Sequence, residues 1–406
     1  MTTRRLPRWH EVKPLLGTEN PFTNRRARAL ARAANIWDLR SLAKRHTPAA
    51  VFDYTDGAAG DESALTRARE VFGRLEFKPR VLRDVSNLDT STEILGAVSA
   101  LPIVLAPTGF TRMMHYEGEA AVAAVAARSG IPYSLSTLGT TSIEDLALAV
   151  PTARRWFQLY LMRDRSPSLE LLERAAAGGY DTLILTVDAP VAGLRNRDVR
   201  NGLTIPPKLS ISTLANMSRY PAWWFNVLTT EPLEFATFRN TEGTVADLMN
   251  RVFDPSVTPA DVKWAREVWA GKIVVKGVQS LQDAQILADL GVDAIVLSNH
   301  GGRQLDKAPV PLEQLPLVKA AVGGNMSLFI DGGVMSGSDV VASVALGADA
   351  VLIGRAYLYG LMAGGQAGVQ RAVDILQQQI RTTMALLGAR SISELDPESV
   401  RMRSSN

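Results

Sequence analysis

Residues 327–355 read SLFIDGGVMSGSDVVASVALGADAVLIGR, and this stretch decides the fold. Two short apolar runs, Ser327–Asp331 and Ala350–Ile353, flank Ser338–Leu346, whose apolar residues recur at three- and four-residue spacing. Runs of that length read as buried strands and the segment between them as an amphipathic helix. Each run ends in a glycine-bearing turn, Asp331-Gly332-Gly333 and Gly354-Arg355. The unit is strand, helix, parallel strand.

The same unit recurs back along the chain. Candidate strands are Pro102–Ala106, Tyr133–Ser136, Trp156–Tyr160, Thr182–Val187, Lys272–Lys276 and Ala294–Ser298, interleaved with helical stretches such as Gly118–Ser129, Leu169–Ala177 and Leu281–Leu290. With the opening pair this makes eight, the count of a TIM (β/α)₈ barrel. An open doubly wound sheet gives similar local patterns, and the count favours the barrel. Residues 1–35 read as an N-terminal arm, 36–390 as the barrel domain with helical leaders over Ile36–Lys44 and Ala59–Arg69, and 391–406 as a C-terminal tail. An insertion of about 194–270 follows the fourth strand and holds Pro206-Pro207 and the aromatic cluster Tyr220–Phe225. A loop so long reads as a lid or a docking surface. The arginine-rich Asn24–Arg32 reads either as a solvated arm or as a segment lying on an anionic lipid surface.

Composition narrows the chemistry. The 406 residues are 46% hydrophobic with a net charge of +3 and no cysteine. That excludes disulfides, thiolate metal sites and iron–sulfur clusters, and no basic face suggests nucleic acid. No apolar run reaches the roughly 18–20 residues that span a bilayer. A cytoplasmic protein is expected, with peripheral contact on the inner face of the cell membrane as a further expectation.

In a barrel of this kind the chemistry gathers where strands end. The fourth strand ends in Thr186-Val187-Asp188, the fifth in Lys276-Gly277 and the sixth in Ser298-Asn299-His300-Gly301-Gly302-Arg303. Each has a plainer meaning alone: a glycine pair marks a turn, an aspartate caps a helix, a single histidine sits on a surface. Together at consecutive strand ends they suit a phosphate-bearing organic cofactor and an anionic substrate, with no metal.

The run Ser298–Asp306, together with Ala106-Pro107-Thr108-Gly109-Phe110 and Gly354–Gly360, resembles the FMN-dependent 2-hydroxy-acid dehydrogenases and oxidases over about Ile36 to Leu387, the bacterial L-lactate dehydrogenases above all. The resemblance implies FMN as cofactor and oxidation of a small 2-hydroxy acid to the 2-keto acid. It makes His300 the catalytic base, Asp188 the carboxylate supporting it, Arg195 and Arg303 the clamp on the substrate carboxylate, and Tyr54 and Tyr160 partners of the substrate's polar groups, Tyr160 being catalytic as well. It assigns the flavin to Pro107, Thr108, Gly109, Ser136, Gln158, Thr186, Lys276 and Ser298, and its ribityl and phosphate groups to Asp331, Gly332, Gly333, Gly354 and Arg355. One position departs: where several relatives carry arginine, this chain has Met335. Gly109 and Leu138 stand where some relatives have alanine and tryptophan, which favours lactate or a bulkier acid over glycolate. An external electron acceptor (a quinone, a cytochrome or oxygen) and a homo-oligomer, tetrameric in many relatives, are also implied. Mandelate-type dehydrogenases and oxygen-using oxidases or monooxygenases are the alternatives on the same scaffold.

Overall fold

The computed structural model describes residues 5–6, 8–13, 25–202, 218–236 and 252–403. Pro206, Pro207 and Asn24 lie outside the described residues. Eight parallel strands close into a barrel: β1 (Ile103–Leu105), β2 (Tyr133–Ser136), β3 (Arg155–Leu159), β4 (Thr182–Thr186), β5 (Lys272–Val278), β6 (Ala294–Leu297), β7 (Ser327–Ile330) and β8 (Ala350–Ile353). Each pairs with its sequence neighbours, and Val351 opposite Ile103 closes the ring. The barrel, not the open sheet, is the fold.

Side chains alternate across a strand, and in a closed barrel that separates two cores. Outward residues such as Ile103, Leu105, Leu183, Leu185, Ile295 and Leu297 pack against the surrounding helices. Inward residues Val104, Trp156, Ile184, Val274, Val296, Phe329 and Leu352 fill the interior, where the Trp156 and Phe329 rings stack at 6.1 Å. A hairpin, Thr92–Ile94 with Ala97–Ser99, adds Ile94 to this interior cluster.

The leaders are helices that pack on the barrel: Ile36–His46 lies along the last helix, Arg355–Leu387, while Ala49–Asp56 and Ser63–Gly73 follow it. Ser63–Gly73 starts four residues later than the sequence suggests, after a turn containing Gly60 and Glu62 at positive φ. The arginine-rich arm forms a helix, Arg25–Arg32, anchored by buried Leu30 and by Arg26 Nε donating 3.0 Å to the Ala363 carbonyl, so it packs against the body instead of standing off as a solvated arm. Near the C-terminus, Val400–Met402 pairs antiparallel with Leu75–Phe77, which ties most of the expected tail to the body. Among the described residues no helix is long and apolar enough to cross a membrane.

Removing a large inward ring leaves a hole that neighbouring strands cannot collapse to fill. Trp156→Ala should therefore cost about 3–5 kcal/mol, read as a lower urea midpoint, whereas Leu148→Ala at an 80% exposed position should stay within about 0.5 kcal/mol. Equal midpoints for the two variants would contradict a packed interior.

Candidate active site

The period of two that fills the floor also builds the mouth. Two residues beyond Trp156, Ile184, Val274, Val296, Phe329 and Leu352, on the same inward side, come Gln158, Thr186, Lys276, Ser298, Asp331 and Gly354. A ring of polar and small residues therefore crowns an apolar floor. Above it opens a cavity of about 980 Å³. Every residue expected at the site lines it except Asp188 and Ser298, which stand one bond behind: Asp188 on His300 and Ser298 on Lys276.

His300 Nδ1 lies 3.0 Å from Asp188 Oδ1, and its Nε2 is 3.5 Å from the Tyr160 hydroxyl. The histidine takes a positive φ of 57°, uncommon for a residue with a side chain and characteristic of functional loops where surrounding contacts impose it. Those contacts are visible. Its N–H donates to Ser298 Oγ, and the Gly302 N–H closes the turn onto Asn299 Oδ1. Gln304 Nε2 donates to the Asp188 and Val191 carbonyls while its Oε1 accepts from the Gly193 N–H. Beneath Asp188 a register shift in β5 turns at Gly277, where a Cβ would come within 2.5 Å of the Asp188 Cβ. Only glycine leaves that space.

Charges here are buried and therefore paired. Burial alone would raise the Asp188 carboxyl, but the charge and hydrogen bond of His300, with the charge of Lys276, hold it below the usual carboxylate range. Lys276 Nζ is 2.9 Å from both Asp331 Oδ2 and Ser298 Oγ. Burial pushes its ammonium down, yet Asp331 and Asp188 carry it above its ordinary value, so it stays a cation. Burial and the negative Asp188 push the Tyr160 phenol up, leaving it a protonated donor.

Opposite stands a cationic wall. The Arg303 and Arg195 guanidinium carbons lie 4.8 and 5.3 Å from the centre of the Tyr54 ring. Burial, assisted by Arg195 and Arg355 against the pull of Tyr54, lowers Arg303 to about 10, still protonated at neutral pH. Two converging cations in a cavity make a receptor for a carboxylate.

The sequence reading did not find what holds this wall. Asp56, 4% exposed, accepts a bidentate pair from Arg40, a bond from Arg197 Nη1 at 2.9 Å and one from the Tyr359 hydroxyl at 2.8 Å. Arg197 also reaches Glu62 and Asp53. Two residues from Arg195, it pins the start of the insertion to the helix that carries Tyr54. The only signal was Asp53 and Asp56 three apart, one helical turn, which is too common to single out.

Of the insertion, Leu194, Arg195, Arg197, Asp198 and Phe253 line the cavity, whereas helix Pro221–Leu228 does not. Its Trp223 turns inward, with Nε1 donating to the Met113 carbonyl at 3.2 Å, while Phe225 and Leu228 are 68% and 73% exposed.

The cavity's polar atoms suit the flavin mononucleotide that the resemblance implies. Gln158 Nε2, Thr186 Oγ1 and Asp331 Oδ1 are buried without a hydrogen-bond partner, an arrangement that costs about 1–3 kcal/mol per group unless a ligand satisfies it. At the far end Gly332 and Gly333 take φ of 90° and 78°, and a Cβ on Gly333 would meet the Ala68 carbonyl at 2.8 Å. Backbone so bare offers its N–H groups to an anion. Among the described residues no cluster is placed to hold a metal ion.

Comparison with known proteins agrees with this reading. The family described as FMN-dependent dehydrogenase matches residues 43–402. A Mycobacterium tuberculosis relative is 54% identical over 98% of this chain and 96% of its own length. The L-lactate dehydrogenase of Caulobacter vibrioides is 40% identical over 88% of this chain and 95% of its own. Among solved structures, a monotopic membrane protein, (S)-mandelate dehydrogenase, superposes with a TM-score of 0.88 at 37% identity, covering 92% of this chain and all of that one. A polar ring over a closed barrel, a cavity whose orphaned donors and acceptors suit a flavin, and these matches lead to one assignment: the chain belongs to the FMN-dependent dehydrogenase family.

Proposed function

We propose that this FMN-dependent dehydrogenase of 2-hydroxy acids oxidises L-lactate to pyruvate and passes the electrons to an external acceptor of the quinone type. The observation that carries the reading is the facing pair of devices in one cavity: a histidine on a buried carboxylate, and two arginines flanking Tyr54. The relative's name, L-lactate dehydrogenase, supports the choice of acid.

Arg195 and Arg303 bind the substrate carboxylate, and the planar fork of each fixes its orientation. Oxidation of the alcohol to the ketone removes two electrons and two protons. His300 Nε2 takes one proton, and Asp188, already an anion, stabilises the imidazolium that results. Tyr160, held protonated, donates a hydrogen bond to the oxygen of the substrate or to the histidine. Bound FMN would supply the acceptor for the two electrons and for the other proton. Lys276, beside Ser298 and Asp331, is a fixed cation where negative charge would gather, and Gln158, Thr186 and Ser136 would hold the polar edge of the ring. The assignments of Pro107, Thr108 and Gly109 rest on the β1 loop lining the same cavity. A methyl added at Gly109 would meet Leu138 Cβ at 3.0 Å, so these two positions set the room for the acid's side chain together.

A mandelate-type substrate is the second reading, favoured by the mandelate dehydrogenase and oxidase structures that this chain resembles. Peripheral attachment to a membrane through Phe225 and Leu228 follows from their exposure and from the monotopic relative. A homo-oligomer is proposed from the resemblance alone.

Three outcomes are expected. His300→Gln keeps FMN bound but slows its anaerobic reduction by about 10²–10⁴-fold; reduction within tenfold of wild type sinks the base. Arg303→Lys keeps the charge and loses the fork, so lactate should bind and react more weakly; if lactamide reduces the wild-type flavin as fast as lactate does, the carboxylate clamp is wrong. Wild type should sediment with anionic vesicles and Phe225→Ser/Leu228→Ser should not; wild type left in the supernatant at low salt removes membrane attachment.

A further inference from the structure

The loop after β7 brings no cation of its own to the phosphate end of the cavity, for position 335 is a methionine. Met335 is buried, and its N–H is donated to Asp339 Oδ2 at 2.8 Å. Arg355 lines the cavity but is partly committed: Nε, Nη1 and Nη2 each donate one bond to a carbonyl, those of Thr55, Gly301 and Gly57 at 2.9, 2.8 and 2.6 Å, which leaves one N–H on each terminal nitrogen. A phosphate monoester is a dianion at neutral pH, more charge than one partly committed arginine and glycine N–H groups balance.

A different arginine arrives from the leader. Arg69, on helix Ser63–Gly73, lines the cavity with Gly332, Gly333 and Met335. Its Nη1 donates to the Gly333 carbonyl and pairs with Asp339 Oδ2 at 2.7 Å. The guanidinium also lies over the Trp37 and Phe72 rings, 5.7 and 5.5 Å from their centres. One nitrogen is thus tethered to the loop after β7, two rings fix the plane, and Nε and Nη2 have no acceptor among the described residues. The loop itself rests on this helix, since a Cβ at Gly333 would strike the Ala68 carbonyl, next to Arg69. Glu70 lines the same end and opposes an anion, and Asp339, behind the lining, opposes it through its pairing with Arg69. Neither carboxylate reaches the two remaining guanidinium nitrogens.

We propose that Arg69 is a cation for the phosphoryl group of FMN, supplied from the leader helix because the loop after β7 supplies none. The proposal rests on the assignment of FMN as cofactor. It makes Ser63–Gly73 part of the cofactor site, where it would otherwise serve only to cover the barrel. Charge-assisted bonds from a planar fork suit the ligand, and the same group made to come from position 335 should replace it.

The test follows the release of FMN from holoenzyme on dilution, read as the rise of free-flavin fluorescence, for wild type, Arg69→Met and Arg69→Met/Met335→Arg. Loss of a charged hydrogen-bonding partner should raise the dissociation constant by about 10- to 100-fold, and Met335→Arg should restore most of it. If Arg69→Met fails to fold, Arg69→Lys carries the comparison, with a smaller loosening that Met335→Arg again reverses. FMN held by Arg69→Met as tightly as by wild type overturns the proposal, and so does a loosening that Met335→Arg leaves untouched, the mark of a packing role alone. Wild type that purifies without flavin would instead overturn the assignment of the cofactor.

Discussion

The 3.0 Å contact between Asp188 Oδ1 and His300 Nδ1 is what the mouth of the barrel is built to hold. A carboxylate this deeply buried is costly unless it is paired and hydrogen-bonded. His300 provides the pairing, Lys276 adds a nearby positive charge, and Gly277 provides the room. The histidine accepts an unusual backbone conformation to reach it, and Gln304 fastens the loop after β6 to the loop after β4 so that neither partner drifts. Because the folded-state pKa of Asp188 lies below its unfolded value, the stability it contributes is present above about pH 4 and is lost as pH falls through the folded value. Asp188 is therefore an anion at neutral pH.

A second constraint works from outside the barrel. The Arg195 and Arg303 cations repel each other, and something must hold them close. Asp56 does so indirectly, by fixing Arg197 and with it the turn that carries Arg195, while the Tyr54 and Gly57 carbonyls hold Arg303 from the same stretch of leader. The leader helices thus brace the anion-binding wall, whose arginines come from the same strand-end loops as Asp188 and His300. The groups that brace the site and the groups that do its chemistry come from parts of the chain more than 100 residues apart.

How much of this the sequence discloses follows from the range of the interactions. Strands were legible because each is a short apolar run whose neighbours are set by order along the chain, and the polar strand ends were legible because a period of two places them. The edges shifted by a residue or two, as at β3, and β5 runs on past Lys276 because the bulge at Gly277 keeps the ladder going. Helix Ala49–Asp56, which carries Tyr54, was not legible. It is eight residues long, and Val51, Phe52, Thr55 and Asp56 are all buried, so no polar face marks it. The Asp56 cluster and the approach of Arg69 to Gly333 join residues up to 303 positions apart, and nothing local encodes such pairs. Met335 could be seen as a departure in the sequence, but the residue that answers it could not.

The central claim is that the cavity brings a carboxylate clamp and a carboxylate-backed histidine onto a single small 2-hydroxy acid beside the flavin. Anaerobic rapid mixing of the holoenzyme with both enantiomers of lactate and of mandelate and with glycolate, followed by bleaching of the flavin absorbance, tests it without assuming an acceptor. The account predicts fast and complete bleaching by L-lactate and none by D-lactate; a flavin that no 2-hydroxy acid bleaches, or that both lactate enantiomers bleach equally, would contradict it.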